Sequence, residues 1–105
     1  MVGYPLCTMQ AHLVQLHIRW EDPKANFCAV SSMLERTDIS PDDLILLPEM
    51  FDTGFSLNTE KTADTTGQTY RFMADLARQH SAFVQGGRTV LPQPDTTTKQ
   101  QHEKA

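Results

Sequence analysis

This chain of 105 residues has little cysteine, no long apolar run and no excess of basic charge. Its two cysteines, Cys7 and Cys28, are too few for a disulfide framework, so reduced thiols are expected. The longest wholly aliphatic run covers residues 44–47, whereas a membrane span needs about 20 apolar residues. Residues 1–10 lack the basic start and the apolar segment of a signal peptide. We therefore expect a cytoplasmic protein.

Basic residues are outnumbered, with nine Lys and Arg against thirteen Asp and Glu, and the net charge is −4. The absence of a basic stripe argues against nucleic acid and against a membrane surface as partners. The chain has neither a P-loop nor a Gly-rich dinucleotide fingerprint, so no cofactor is predicted. No metal site is predicted either, because the acidic residues lack metal-ligand spacing. The aspartates assigned to turns and helix caps instead are Asp38, Asp42, Asp43 and Asp52.

Apolar patterning predicts an α/β protein. Two nearly continuous apolar segments are typical of buried parallel strands, and the second is expected to be covered on both faces. Asp22-Pro23 is a strong helix start, and one-sided apolar residues follow it. The order β-α-β-loop-α-β implies a mainly parallel sheet with right-handed crossovers. The predicted elements are a strand over 11–18, a helix over 23–36, a strand over 43–47, a loop over 49–65, a helix over 67–80 and a strand over 81–85.

Composition divides the chain into three parts. Residues 1–8 form an N-terminal extension, and residues 9–91 form the domain. Residues 92–105 contain no large apolar side chain and are expected to be a polar, disordered tail. Residues 89–91, just before the tail, resemble the start of a fourth strand.

Glu49 is the first candidate for chemistry, because it follows the second predicted strand. Open α/β sheets place their ligands at the carboxyl ends of parallel strands. Apolar neighbours, Pro48 before it and Met50 and Phe51 after it, are expected to desolvate the carboxylate in part. Desolvation raises the pKa of a glutamate toward the range useful for a general base. An ordinary solvated glutamate at a strand end is the alternative interpretation.

The stretch LLPEMFDTGF, residues 46–55, closely resembles the first catalytic motif of the nitrilase (carbon–nitrogen hydrolase) superfamily, and more narrowly that of its omega-amidase branch. Supporting similarity covers residues 9–91. The resemblance implies that residues 9–91 form the N-terminal part of a carbon–nitrogen hydrolase domain, and thus part of the family's α-β-β-α sandwich. It also implies hydrolysis of the amides of 2-oxo acids, with a small-molecule amide as substrate, and a homodimer for the complete protein.

The same resemblance places the loop after Glu49 at the mouth of the substrate site. Phe51, Thr53, Gly54 and Phe55 are the substrate-binding residues that it implies. Packing within the loop is an equally good interpretation of the two phenylalanines.

The family's chemistry implies a Glu-Lys-Cys triad. A cysteine thiolate attacks the amide carbonyl to form a thioester, while the glutamate is the general base and the lysine stabilises the tetrahedral intermediate. Glu49 aligns with the family's glutamate, but the other two members have no counterpart here. Lys99 and Lys104 lie in the polar tail, Cys7 precedes the first strand, and Cys28 is interpreted as a buried small hydrophobe of the first helix. We therefore expect the chain to be inactive on its own.

A small receiver-like signalling or binding module is the alternative function. The segment before Glu49 is similar to the receiver strand that ends in a phosphorylated aspartate, and Glu21-Asp22 could serve as its acidic pair. Pro48-Glu49 stands at the acceptor position, however, and the Thr-Gly-Phe that follows does not fit a receiver.

Overall fold

The computed structural model describes residues 8–92, so the predicted extension and the predicted polar tail lie almost wholly outside the described residues. Three short parallel strands form one sheet in the order β1-β2-β3. The predicted α/β class with a parallel sheet is confirmed. In chain order the elements are β1 (Ala11–Leu13), α1 (Pro23–Glu35), β2 (Leu44–Leu46), α2 (Thr59–Thr62), α3 (Gln68–His80) and β3 (Phe83–Gln85).

Both long helices begin where the sequence predicts. The Asp22 carboxylate accepts a hydrogen bond from the backbone N–H of Ala25 at 3.2 Å, and Pro23 stands at the first helical position of α1. Helix α3 lies between two residues of left-handed backbone, Gly67 with φ 76° and Ser81 with φ 51°. Local capping chemistry therefore sets the limits of both helices.

The two long helices share their core with one face of the sheet. Ile45, at the centre of the middle strand, has no exposed surface. The rings of Phe27 and Phe72 stack at a centroid distance of 4.3 Å, and each lies 6.1 Å from the ring of Phe51. Three aromatic rings thus join α1, α3 and the segment after β2. The buried core comprises Val30, Leu34, Ile45, Leu47, Phe51, Met73 and Leu76.

The opposite face of the sheet is bare within residues 8–92. Leu13 is 76% exposed and Phe83 is 57% exposed, while Leu44 and Leu46 are half-buried. Successive side chains of a strand point to opposite faces, so this face presents alternate positions of all three strands. The prediction that β2 is covered on both faces is wrong for the described residues, because α1 and α3 lie on the same side.

Three segments differ from their predicted secondary structure. β1 ends at Leu13 instead of residue 18, although the N–H of Val14 still donates to the carbonyl of Leu46 at 2.9 Å. Helix α2 lies inside the predicted loop, and its four residues are too short to show a helical period. Residues 89–91 are not in a strand.

Candidate active site

The carboxyl ends of β2 and β3 bring the motif loop and a glycine pair together. The N–H of Leu47 donates to the carbonyl of Gln85 at 2.8 Å, just beyond the paired strands. A Cβ placed on Gly87 would lie 3.6 Å from both the Glu49 Cγ and the backbone nitrogen of Met50. Glu49 therefore stands at the edge of the sheet where α/β proteins bind ligands, against a segment that carries no side chain.

The Glu49 side chain is exposed. The sequence predicts partial cover from its apolar neighbours, but Phe51 is fully buried and points into the core. Phe51 therefore gives the Glu49 carboxylate no apolar cover, and that part of the expectation is wrong in this structure.

The motif loop turns back immediately after Glu49. Met50 has a positive φ of 52°, and its carbonyl accepts hydrogen bonds from the N–H of Thr53 at 3.2 Å and of Gly54 at 2.7 Å. Gly54 has φ 79°, and a Cβ on it would come within 3.1 Å of the Trp20 indole. Both the backbone conformation and the close aromatic ring thus require glycine at this position.

Asn26 ties the motif loop to α1. Its side-chain amide donates to the carbonyl of Asp52 at 2.7 Å and to that of Arg19 at 2.9 Å, and its oxygen accepts from the N–H of Arg19 at 2.8 Å. Asn26 is fully buried, and these three hydrogen bonds satisfy its side-chain amide. Sequence reasoning missed this residue. Asn26 lies on the same apolar face of α1 as Val30 and Leu34, and a polar residue at such a position could have indicated a buried hydrogen-bonding role.

Glu21 holds the far end of the loop. Ser56 donates its hydroxyl to one Glu21 carboxylate oxygen at 2.6 Å, and Lys61 of α2 pairs with the other at 2.9 Å. The backbone N–H of Glu21 donates to the carbonyl of Thr53 at 2.9 Å. The hydrogen bond from Ser56, followed by that from Lys61, lowers the pKa of the Glu21 carboxyl. This carboxylate is therefore a structural anion and a weak base.

Asp52 ties the loop to α3. Thr69, in the first turn of α3, donates its hydroxyl to Asp52 Oδ2 at 2.8 Å. Burial raises the pKa of the Asp52 carboxyl, the hydrogen bond from Thr69 opposes the rise in part, and the charge of Asp64 adds to it. Asp52 lies in the turn after Glu49, as predicted, and its carboxyl also bonds to a helix residue seventeen positions further along the chain.

Asp64 links the start of α3 to the segment after β3. Its carboxylate accepts from the N–H of Thr69 at 3.0 Å and of Tyr70 at 2.9 Å, which caps the helix. Arg88 donates to the same carboxylate at 3.2 Å, and the N–H of Asp64 donates to the carbonyl of Thr89 at 2.8 Å. The wall opposite the motif loop is thereby fixed.

A cleft of about 400 Å³ separates the motif loop from this wall. Gly54 and Phe55 line it, and Phe55 is 67% exposed. Phe51 and Thr53, also expected at the substrate mouth, are buried beneath the loop. For Phe51 the structure thus shows the packing interpretation. The residues around the cleft are Met50, Gly54, Phe55, Ser56, Leu57, Thr59, Arg88, Thr89 and Val90.

Within residues 8–92, neither the lysine nor the cysteine of the expected triad is found beside Glu49. Cys28 is exposed on α1, which corrects its interpretation as a buried hydrophobe. Lys61 is paired with Glu21, and no lysine within residues 8–92 forms an ion pair with Glu49. Cys7, Lys99 and Lys104 lie outside the described residues.

Residues 8–92 also contain neither a metal site nor a membrane-spanning helix. Among residues 8–92 no group of three His, Cys, Asp or Glu side chains is placed to hold a metal ion. None of the helices described is long and apolar enough to cross a membrane.

Comparison with known proteins identifies the family. The sequence profile of the carbon–nitrogen hydrolases matches residues 10–101. An omega-amidase, YafV of Yersinia enterocolitica, is 31% identical over 90 residues, which are 86% of this chain and 34% of the relative. A hydrolase in the agr operon of Staphylococcus aureus is 27% identical over 81 residues, 75% of this chain and 31% of the relative.

A nitrilase of Pyrococcus abyssi is 25% identical over 80 residues, which are 70% of this chain and 30% of the relative. The chain thus spans about a third of the length of these curated relatives. No solved structure matches it. The profile match, together with the motif at the carboxyl end of β2, shows that the chain belongs to the carbon–nitrogen hydrolase family.

Proposed function

We propose that this chain supplies the general base, Glu49, and one wall of the substrate cleft to an amidase that acts on the amides of 2-oxo acids. The observation that supports this proposal most directly is the position of Glu49, which is exposed at the carboxyl end of β2 in a chain of this family. The name of the Yersinia enterocolitica relative, an omega-amidase, supports the narrower substrate class. The family match leaves the receiver-like alternative without support.

The proposed chemistry is acyl transfer through a cysteine. Glu49 accepts the thiol proton, the thiolate attacks the amide carbonyl, and a tetrahedral intermediate forms. Its collapse breaks the C–N bond and releases ammonia, to which the protonated glutamate returns the proton. Water then hydrolyses the thioester, giving the free acid and the thiol. A lysine stabilises the oxyanion of the intermediate.

Neither the nucleophile nor the lysine is assigned to a residue of this chain. We therefore expect the chain to release no ammonia by itself, because a missing nucleophile leaves no covalent route. The complete enzyme is proposed to act as a homodimer, as the family resemblance implies.

The motif loop is proposed to contact the acyl group of the substrate through Phe55 and the backbone at Gly54. Both line the cleft, and the fixed position of Gly54 against Trp20 keeps this part of the wall rigid. Thr53 acts from beneath, where its hydroxyl donates to the Gly54 carbonyl at 3.0 Å. Phe51 contributes by packing, since it anchors the loop to the core.

A chimera tests this function directly. The matched segment of this chain replaces the corresponding 90 residues of the Yersinia enterocolitica omega-amidase, and ammonia release is measured on 2-oxoglutaramate and on glutaramate, the five-carbon amide that lacks only the 2-oxo group. We expect turnover of 2-oxoglutaramate with a preference of at least about 10-fold over glutaramate, the discrimination that one lost hydrogen bond gives. Equal rates on both amides would contradict the substrate class.

A further inference from the structure

Asp52 is held by both long helices at once. Its backbone carbonyl accepts from the Asn26 amide of α1 at 2.7 Å, and its carboxyl accepts from the Thr69 hydroxyl of α3 at 2.8 Å. It follows Glu49 by three positions in the same loop. No other residue of the described loop is hydrogen-bonded to both long helices, so a change at Asp52 reaches the base through a short segment.

The Asp52 carboxyl is poorly satisfied for so buried a group. Asp52 is 1% exposed, and its Oδ1 has no hydrogen-bond partner within the described residues. A buried carboxylate needs several donors to offset the loss of water, and here the Thr69 hydroxyl at Oδ2 and the backbone N–H groups of Asp52 and Thr53 offset only part of that loss. The free-energy cost of burying a neutral carboxyl group is much smaller than that of burying a carboxylate, so the site favours the protonated form of Asp52.

The surrounding charges favour the same form. Asp64, at the start of α3, raises the pKa of the Asp52 carboxyl, in addition to the larger effect of burial. Arg88, from the segment after β3, forms an ion pair with Asp64 at 3.2 Å. On the α1 side the contacting group is the neutral amide of Asn26. Further along the loop the charges of Glu21 and Lys61 oppose each other.

We propose that Asp52 is a positioning residue for the loop that carries Glu49, and that its carboxyl fastens this loop to α3 more tightly when protonated than when ionised. The identification of Glu49 as the base rests on the proposed function, whereas the fastening of the loop does not.

The sign of the pH dependence follows from linkage. Below the ordinary value of 3.8 the carboxyl is protonated whether the loop is fastened or open. As the pH rises from there through the raised pKa of the fastened state, the open loop releases its proton first, so fastening weakens. Above the raised pKa the carboxyl is ionised in both states, and the equilibrium between the fastened and the open loop no longer changes with pH. The total change in this equilibrium equals the ratio of the acid dissociation constants of the open and the fastened states.

Amide hydrogen exchange on the complete 105-residue chain tests this proposal. Protection factors of residues 50–56 are measured from pH 4 to pH 8, with residues 28–34 of α1 as the internal reference. In the parent chain we expect loop protection to fall as the pH rises across this range. In Asp52→Asn, which keeps the shape of the side chain, the fall should disappear. The exposed matched control, Asp38→Asn, should keep the fall.

Thr69→Val provides a second variant that removes only the donated hydroxyl. We expect it to lower loop protection at least severalfold at pH 4 and to leave α1 unchanged, while the exposed control Thr65→Val changes neither. An unchanged pH profile in Asp52→Asn, or full loop protection in Thr69→Val, would overturn the proposal. Because exchange is read without substrate, an inactive chimera counts against the proposed function alone.

Discussion

The two edges of the sheet each hold a buried aspartate, and the two behave oppositely. Asp43, at the N-terminal edge, is 2% exposed and accepts from the N–H of Gln10 at 3.1 Å, the N–H of Ser40 at 2.9 Å and His12 Nε2 at 2.9 Å. The hydrogen bond from His12, then that from Ser40, lowers the pKa of its carboxyl. Asp52, beyond the C-terminal edge, is equally buried, and burial raises the pKa of its carboxyl.

The difference shows that burial alone does not decide the pKa of a carboxyl in this fold, because the hydrogen-bond donors around the carboxyl decide whether the effect of burial is offset. At the N-terminal edge the donors fix β1 beside β2 and leave an inert anion. At the C-terminal edge the backbone must keep a tight turn and a cleft open, and the donors to the carboxyl offset only part of the effect of burial. Polar groups at the ligand-binding edges of α/β sheets commonly lack some of their hydrogen-bond partners, because the requirements of function compete there with those of stability.

The comparison implies that apolar packing, more than the Asp52 carboxyl, holds the motif loop in place. Phe51→Ala removes a fully buried ring that contacts both Phe27 and Phe72. We expect a loss of about 3–5 kcal/mol in the free energy of unfolding. Urea denaturation followed by the fluorescence of Trp20, the single tryptophan, measures it.

Phe55→Ala is the matched control, because Phe55 belongs to the same loop and is 67% exposed. A change within about 0.5 kcal/mol is expected for such a surface position. Equal losses in Phe51→Ala and Phe55→Ala would show that the loop is not anchored by the core.

The two aspartates should respond to pH in opposite directions when each is replaced by asparagine. Asp43→Asn is expected to lower the urea midpoint at pH 7, because the lowered pKa means that the ionised carboxyl stabilises the fold. That deficit should vanish as the pH falls below 3.8, through the pKa of the folded state. Asp52→Asn should leave the midpoint unchanged or raise it at pH 7, and its difference from the parent chain should shrink on acidification.

Denaturation curves from pH 7 down to pH 3 compare the three chains. Asp38→Asn, at an exposed site between α1 and β2, serves as the control for loss of a charge alone. If the urea midpoints of both variants shift in the same direction relative to the parent chain as the pH changes, the two aspartates do not differ in the way that we describe.

Local chemistry made the helices and the motif predictable from the sequence. Asp22-Pro23 marks the start of α1 and Gly67 that of α3, because capping depends on neighbouring residues alone. The position of Glu49 after β2 follows from an apolar run that ends in proline. The family resemblance then supplied the role of the glutamate, which no spacing within the chain reveals.

Long-range contacts account for what the sequence did not reveal. Asn26 and Asp52 act by bonding to segments far along the chain, and no local period records such a partner. The uncovered sheet face escaped prediction because an apolar run such as residues 43–47 has the same pattern whether one or two layers cover it. Phe51 and Phe55 are alike in sequence, and only the turn after Glu49 separates a buried ring from an exposed one.

The most direct test of the central claim is the turnover of the chimera on 2-oxoglutaramate after Glu49→Gln, a change that removes the base and keeps the shape. We predict a fall in kcat of at least about 100-fold, the usual contribution of a general base. Hydrogen exchange of residues 50–56 should stay unchanged, and the exposed control Glu60→Gln should keep full turnover. Near-parental turnover in Glu49→Gln would contradict the assignment of this motif as catalytic.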